Sequence, residues 1–415
     1  MGHVRSLGLV LVLASSAAFL ALPTVPVRAG TAAAPGEAGS GPAMPAAPVP
    51  AATNGIAWSD VPKNYWDRSA IDYVGATNDW MRDYHALDDG TYPFKPDKLE
   101  SRERFARAAV RAFAADRQPD PSLHFPDLPD DDRFYRFANV AVSLGWMEVD
   151  DHGNFLPSSP VTTRVVHRAM VYALGMRSIA HHLQHLEMAD GTPLDVPSGF
   201  GTLLLGMRLG LRYNHSNESM DLGPDTRLPR SEVAWSLYRA ATEPSWEASS
   251  LAPYGTMVLP NLSTEAREVV EFGFRYVGYP YVWGGEWYRP TPAGYCCGAQ
   301  PVGGFDCSGF SWWVLREASS AWDPVPPRRY QGWSLPQRTS ADMASAGTHI
   351  GFQKLRPGDL MFYDGDGDGT VDHVDVYIGN GWSMDSGGSV GGVSIVQVDD
   401  GWYRDHFVHG RRVIR

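Results

Sequence analysis

Residues 303–319 read GGFDCSGFSWWVLREAS, where two glycines and an acid give way abruptly to an apolar, helix-like run. That change places Cys307 in the first turn of a helix. Unpaired backbone N–H groups and the positive end of the helix dipole favour thiolate over thiol there. A free cysteine titrates near ~8.5, and a helix start or a neighbouring histidine brings that down to about 3.5–7.5. A cysteine on an apolar helix is ordinarily a core residue, so a chemical role for Cys307 depends on a base within reach.

His373 is the candidate base. The run HVDVYI (373–378) alternates and ends in GNG, the pattern of a strand and a tight turn. His373 and Asp375 therefore share one face of that strand. Asp385, in WSMDS, falls on the next predicted strand, where a carboxylate can accept from the second imidazole nitrogen and fix the tautomer. A cysteine at a helix start facing a histidine on a strand is the geometry of papain-like hydrolysis.

The whole chain has 415 residues, 43% of them hydrophobic and 20% charged. It is too long for one ordinary core and too apolar for disorder throughout, so two or three domains are expected. A formal charge of −12 argues against a general nucleic-acid binder, which needs a basic face to displace counterions. Three cysteines, Cys296, Cys297 and Cys307, exclude a disulfide-stapled scaffold and a Cys-rich zinc fold. The odd count leaves at least one thiol over.

Residues 1–29 have the layout of a secretory signal peptide: His3 and Arg5, an apolar run from Leu7 to Leu22, then Val27-Arg28-Ala29 at the cleavage site. The apolar run is shorter than the ~20 residues a spanning helix needs, so the mature chain is expected to be exported without a stable membrane anchor. Residues 30–57 are Ala, Pro and Gly with almost no charge, the composition of a spacer. A second linker is expected at 243–260, which leaves regions of 58–242 and 261–415.

The first region repeats. Asp-(Val/Leu)-Pro begins at Asp60, Asp127 and Asp195, 67 and then 68 residues apart. Each is followed by an aromatic (Trp66, Phe134, Phe200) opening a helix-like stretch. A turn comes next (DDGTYPFKPD at 88–97, DHGNFLPSS at 151–159, and the stretch around Gly223-Pro224-Asp225). Each turn leads to an arginine, Arg102, Arg164 or Arg230, heading a second amphipathic helix. Repetition at a fixed period means units that bury their faces against one another.

This pattern resembles the S-layer homology (SLH) repeat, in copies at about 58–116, 124–176 and 193–242. The resemblance implies an all-α, pseudo-threefold bundle whose grooves bind secondary cell-wall polysaccharide. Its motif arginines correspond here to Arg102, Arg164 and Arg230, and an arginine fork suits anionic sugar substituents. The acidic position of the motif is Arg104 in copy one and Val166 in copy two, and only copy three keeps it, as Glu232. Copy three also carries NHSNESMDLG (214–223) where the family loop is shorter.

The second region closely resembles the NlpC/p60 family of cell-wall cysteine peptidases across nearly all of 262–415. PYVWGG (280–285), DCSGF (306–310), LPQRTS (335–340), LRPGDLMFY (355–363) and HVDVYIGNGWSMDS (373–386) carry the resemblance. It implies a compact α+β papain-like fold, with Cys307 as nucleophile, His373 as general base and Asp385 as third member. Tyr281 and Ser308 are the candidates for substrate contact. The implied substrate is peptidoglycan, cut within its stem peptides, often between D-γ-glutamate and the diamino acid.

Two features exceed the family pattern. In the insertion EWYRPTPAGYCCGAQPVGG (286–304), Cys296 and Cys297 pair with each other or elsewhere in an oxidising compartment, and either choice leaves Cys307 free. A bond from one of them to Cys307 would switch the site off. Asp364, Asp366, Asp368, Thr370, Asp372 and Asp375 have the oxygen-ligand spacing of an EF-hand-like calcium loop, with aspartate at the final position. The chemistry requires no cofactor, and structural calcium is the one addition this spacing suggests.

The expectation is a secreted, wall-anchored cysteine endopeptidase: an α+β papain-like catalytic domain preceded by an all-α bundle of three SLH repeats. The alternatives are a same-fold amidase or acyltransferase acting on another amide, and a non-catalytic surface-layer or adhesion protein.

Overall fold

The computed structural model describes residues 54–292, 296–300, 302–315, 335 and 337–414. The expected leader and nearly all of the Ala/Pro/Gly spacer lie outside them. Among the described residues, no helix is long and apolar enough to cross a membrane.

Residues 58–242 form three helix–loop–helix units. The first pairs α1 (Arg68–Ile71), continued by a wider turn over Asp72–Thr77, with α2 (Arg102–Phe113). The second pairs α3 (Tyr135–Ser143) with α4 (Thr163–Ala173), and α5 (Arg177–Gln184) follows as an addition. The third pairs α6 (Phe200–Arg208) with α7 (Arg230–Thr242). The recurrent aspartate has one job in the first two units: its two oxygens accept the backbone N–H groups of the loop before the second helix. Asp60 takes Phe94 and Lys95, and Asp127 takes Phe155 and Leu156. Asp195 departs from this and faces the neighbouring region instead, through Glu271 and Arg275.

The units close on one another. Glu100 N–H donates to the Leu228 carbonyl, Leu228 N–H to Val161, and Val161 N–H to Glu100, one residue from each unit in a cycle. The motif arginines run around the same ring. Arg102 reaches the Phe155 carbonyl of the second unit, Arg164 the Ser198 carbonyl and Asp225 of the third, and Arg230 the Phe94 carbonyl of the first. Arg102 and Arg230 also lie over the rings of Phe155 and Phe94.

The stretch 243–260, expected as a linker, is folded. It holds α8 (Ser245–Ser250) and a tight helical turn over Ala252–Thr256. Leu251, Tyr254, Met257 and Leu259 are buried, each contributing about 1.5–3 kcal/mol if aliphatic burial is representative. Four buried apolar side chains in this segment outweigh the local Pro and Ser signals that suggested a spacer. Tyr254 donates to the Ile395 carbonyl and its ring meets Trp382. The described residues of 58–242 and of 261–414 accordingly fall in one compact unit.

In the second region, α9 (Thr264–Phe274) and α10 (Cys307–Leu315) pack on a six-stranded antiparallel sheet. A short ribbon of β1 (Glu286–Trp287) and β2 (Gly304–Phe305) precedes α10. The sheet comprises β3 (Thr348–Ile350), β4 (Leu360–Tyr363), β5 (His373–Gly379), β6 (Trp382–Gly387), β7 (Gly392–Gln397) and β8 (Phe407–Arg412), in the order β3-β8-β4-β5-β6-β7. Alternation along β5 splits its side chains. Val374, Val376 and Ile378 join the main core, while His373 and Asp375 lie near the aromatics Tyr363, Trp402 and Tyr403. Gly273 lets α9 approach the sheet, because a Cβ there would meet the Met384 sulfur at 2.6 Å.

Candidate active site

Cys307 is the first residue of α10, and its position is set by the residue before it. Asp306 accepts from the Gly309 backbone N–H and the Ser308 hydroxyl, capping the helix start. Asp306 N–H in turn donates to the Gly285 carbonyl. A side chain at Gly309 would collide with that carbonyl, which explains the glycine of DCSG. Arg338, from the LPQRTS stretch, binds both carboxylate oxygens of Asp306 (3.0 and 3.1 Å), the Ser308 hydroxyl (2.7 Å) and Glu286 (2.7 Å). Arg338 and Glu286 are almost wholly buried. Each charge is paired and hydrogen-bonded, the condition under which buried ions are tolerated.

His373 lines the same cavity of about 200 Å³ as Cys307, with Tyr281, Trp283, Ser308 and Arg338. Its Nε2 lies 3.0 Å from Oδ1 of Asp385 and 3.1 Å from Oδ1 of Asp375. Each acid is held from behind by hydroxyls: Tyr403 donates to Oδ2 of Asp385, and Tyr363 and Ser383 donate to Oδ2 of Asp375. Both acids therefore approach the same ring nitrogen, Nε2.

The electrostatics follow from that sandwich. Burial opposes the imidazolium, but the charges of Asp385 and Cys307 outweigh it and hold the His373 pKa well above the usual histidine range. Burial would likewise raise Asp385, yet the adjacent His373 cation keeps it below the ordinary carboxylate value. Asp375 goes the other way, pushed up to about 7 by burial and by the charge of Asp385. The two acids are therefore unequal: Asp385 carries the charge, and Asp375 holds a proton up to near neutrality. Burial and the nearby Cys307 and Asp306 charges also push the Tyr281 phenol upward, so it stays neutral.

Cys307, His373, Tyr281 and Ser308 line one cavity, with Asp385 beside the imidazole. Of the six residues with calcium-ligand spacing, three gather their carboxylates and three lie apart from them. Asp364, Asp366 and Asp368 converge, and their oxygens accept backbone N–H groups of the same turn. Asp375 is buried behind His373, and Asp372 accepts from Gly365 N–H and lines the cavity. Thr370 contributes its backbone N–H to Asp368. Asp375, the expected final ligand, groups with His373 and Asp385 instead of with the acidic turn.

The three arginines also separate. Arg230 has no exposed surface and is locked between Asp83 and Glu100, which removes it as a polymer ligand. Arg102 is largely spent on the backbone carbonyls of Phe155 and Glu148. Arg164 lines an open cavity of about 430 Å³, with Arg168, Tyr172, His181, Gln184 and Ser198. Sequence reading passed over Arg338 and Glu286, which are 52 residues apart. Their one signal was the LPQRTS motif, from which the arginine was not singled out.

With this geometry in hand, comparison with known proteins is informative about the second region. Residues 278–412 match the NlpC/P60 family. Over 159 residues the chain is 34% identical to the peptidoglycan endopeptidase RipB of Mycobacterium tuberculosis, covering 37% of this chain and 58% of that protein. Over 146 residues it is 31% identical to the bifunctional muramidase/DL-endopeptidase CwlT of Bacillus subtilis, covering 35% of this chain and 36% of that protein. Among solved structures, the peptidoglycan hydrolase RipB from Mycobacterium tuberculosis aligns at 28% identity with a TM-score of 0.25, over 40% of this chain and 78% of that one. The chain thus spans less than two thirds of the length of these curated relatives. The family match spans both Cys307 and His373.

Proposed function

We propose that this protein is a cysteine endopeptidase that hydrolyses peptide bonds in peptidoglycan stem peptides, with the D-γ-glutamyl–diamino acid bond as its target. The observation that carries this reading is the His373 imidazole, held through Nε2 by Asp385 in the cavity that also contains Cys307. The thiolate attacks the amide carbonyl, and the oxyanion is held by the Cys307 backbone N–H and its neighbours at the start of α10. The His373 imidazolium gives its proton to the leaving amine. Water then attacks the thioester, passing a proton back through His373 and freeing the thiol. The similarity to peptidoglycan endopeptidases supports the substrate class.

Purified full-length protein should release new amino termini from peptidoglycan, and Cys307→Ala should release none while melting at an unchanged temperature. Mass spectrometry of the digested muropeptides reads which bond is cut. Release by Cys307→Ala equal to wild type would sink the assignment.

The protein is further proposed to be exported and retained at the cell wall, with the helical units as an SLH-type binding region. The leader-like residues 1–29 support export. The cavity lined by Arg164 and Arg168, the latter over the Tyr172 ring, supports recognition of an anionic wall polysaccharide. Sedimentation of the Cys307→Ala protein with purified sacculi tests this, and loss of pelleting in the presence of soluble wall polymer is the expected result.

A further inference from the structure

The third helical unit reaches the hydrolase cavity. Its extra loop, residues 214–223, sends Glu218 to the backbone N–H of Trp283 (Oε1 to N, 2.9 Å) and Asn214 to the Gly388 carbonyl (3.2 Å). Trp283 and Gly388 both line the cavity that holds Cys307 and His373. They sit on separate chain segments, one before β1 and the other after β6, so the loop joins two rims of one opening. Arg212 and Asn214 also pack under Gly391, whose carbonyl accepts from the Tyr281 N–H.

The loop is itself held firmly. His215 N–H donates to Asp221, and the His215 ring pairs with Glu232 of α7 at 2.7 Å, both residues being buried. Asn217 closes the next turn through Ser219. Trp283 contrasts with this: its side chain is 64% exposed, and it follows Val282 into a tight turn in which Gly284 has φ +68°. A large apolar ring at a cavity mouth is a contact surface for substrate, and its direction is set by a backbone whose N–H is tethered to Glu218.

We propose that Glu218, from the third helical unit, is a positioning residue of the hydrolase site, fixing the Trp283 rim so that substrate meets a preformed wall. This rests on the peptidase reading above. The helical region then does more than retain the enzyme: it completes the substrate cavity and sets how tightly the stem peptide is held. The tether should act on affinity and little on the chemical step, because Glu218 touches neither Cys307 nor His373. Gln at this position keeps an oxygen acceptor for the Trp283 N–H, while Ala does not.

The test uses full-length protein and a soluble stem peptide containing the γ-glutamyl–diamino acid bond. Glu218→Ala should raise KM about ten-fold, the size expected for losing one charge-assisted hydrogen bond, with kcat within about two-fold of wild type. Glu218→Gln should recover most of that loss. Amide hydrogen exchange over 281–285 should quicken in the Ala variant and not in the Gln variant. Unchanged KM in Glu218→Ala, or a Gln variant as impaired as Ala, would overturn the inference. If wild type cleaves nothing, the peptidase reading fails separately. Calorimetry of the same peptide with Cys307→Ala and Cys307→Ala/Glu218→Ala then decides the matter: about ten-fold weaker binding in the double variant supports the tether, and equal affinity or no binding by either overturns it.

Discussion

Asp375 stands 3.1 Å from Nε2 of His373, as near to the ring as the expected third member of the triad, yet it holds its proton up to about 7. One imidazole therefore serves two buried acids with different charges. Replacing Asp375 by Asn removes a carboxylate whose charge, once it ionises, helps hold the proton on His373. The alkaline limb of kcat/KM should move to lower pH in Asp375→Asn, because the imidazolium that protonates the leaving amine is lost earlier. Stability should respond as well. A carboxyl with a raised folded pKa destabilises the fold progressively as pH climbs from its ordinary value to about 7. The melting temperature of the Asn variant should decline less across that window.

Arg338 links Glu286 to Asp306, and Asp306 caps the helix that begins with Cys307. Arg338→Ala leaves two buried carboxylates without their cation, a loss of about 3–5 kcal/mol for a broken buried pair. Arg338→Lys keeps the charge but not the fork, so it should recover part of the stability and less of kcat. Thermal melts and steady-state kinetics on the same preparations separate the two effects.

Arg230 and Arg164 occupy matching positions in their units and should behave in opposite ways. Arg230→Ala strands Glu100 in the core, leaves Asp83 with Arg107 as its remaining cation, and should destabilise by about 3–5 kcal/mol. Arg164→Ala, at a half-exposed site, should barely change the melting temperature but reduce sedimentation with sacculi. Chemical denaturation paired with the pelleting assay checks both.

Cys296 and Cys297 are joined to each other, and Cys307 is free. Alkylation of the denatured, unreduced protein should label Cys307 alone, read by peptide mass mapping. A tryptic link between Cys307 and either partner would show a different pairing.

The catalytic half was legible in the sequence because its chemistry is local. Cys307 announces itself by an abrupt change from glycine and acid to apolar residues, and the pair of His373 and Asp375 by strand alternation. Asp375 fits two patterns at once, the last position of a calcium-loop spacing and the His373 face of a strand, and only the fold shows that it stands beside the imidazole. Arg338 and Glu286 went unassigned because a buried ion pair between distant segments leaves no periodic trace. The threefold repeat was visible, but the task of its arginines was not. A guanidinium that binds a sugar and one that braces a neighbouring turn look alike in one dimension. The segment at 243–260 reads as a spacer from its prolines, and only tertiary burial of Leu251, Tyr254, Met257 and Leu259 reveals it as a packed strap.

The cycle of backbone bonds through Glu100, Val161 and Leu228 has no first or last member. Repeats that stack in a line can be lengthened or trimmed one at a time, since each touches only its neighbours. A closed triangle permits neither. Losing one unit opens two seams at once, and adding a fourth finds no vacant edge, so the number three is fixed by closure itself. Damage at any one seam should propagate to the other two, and the helical region should melt in a single step.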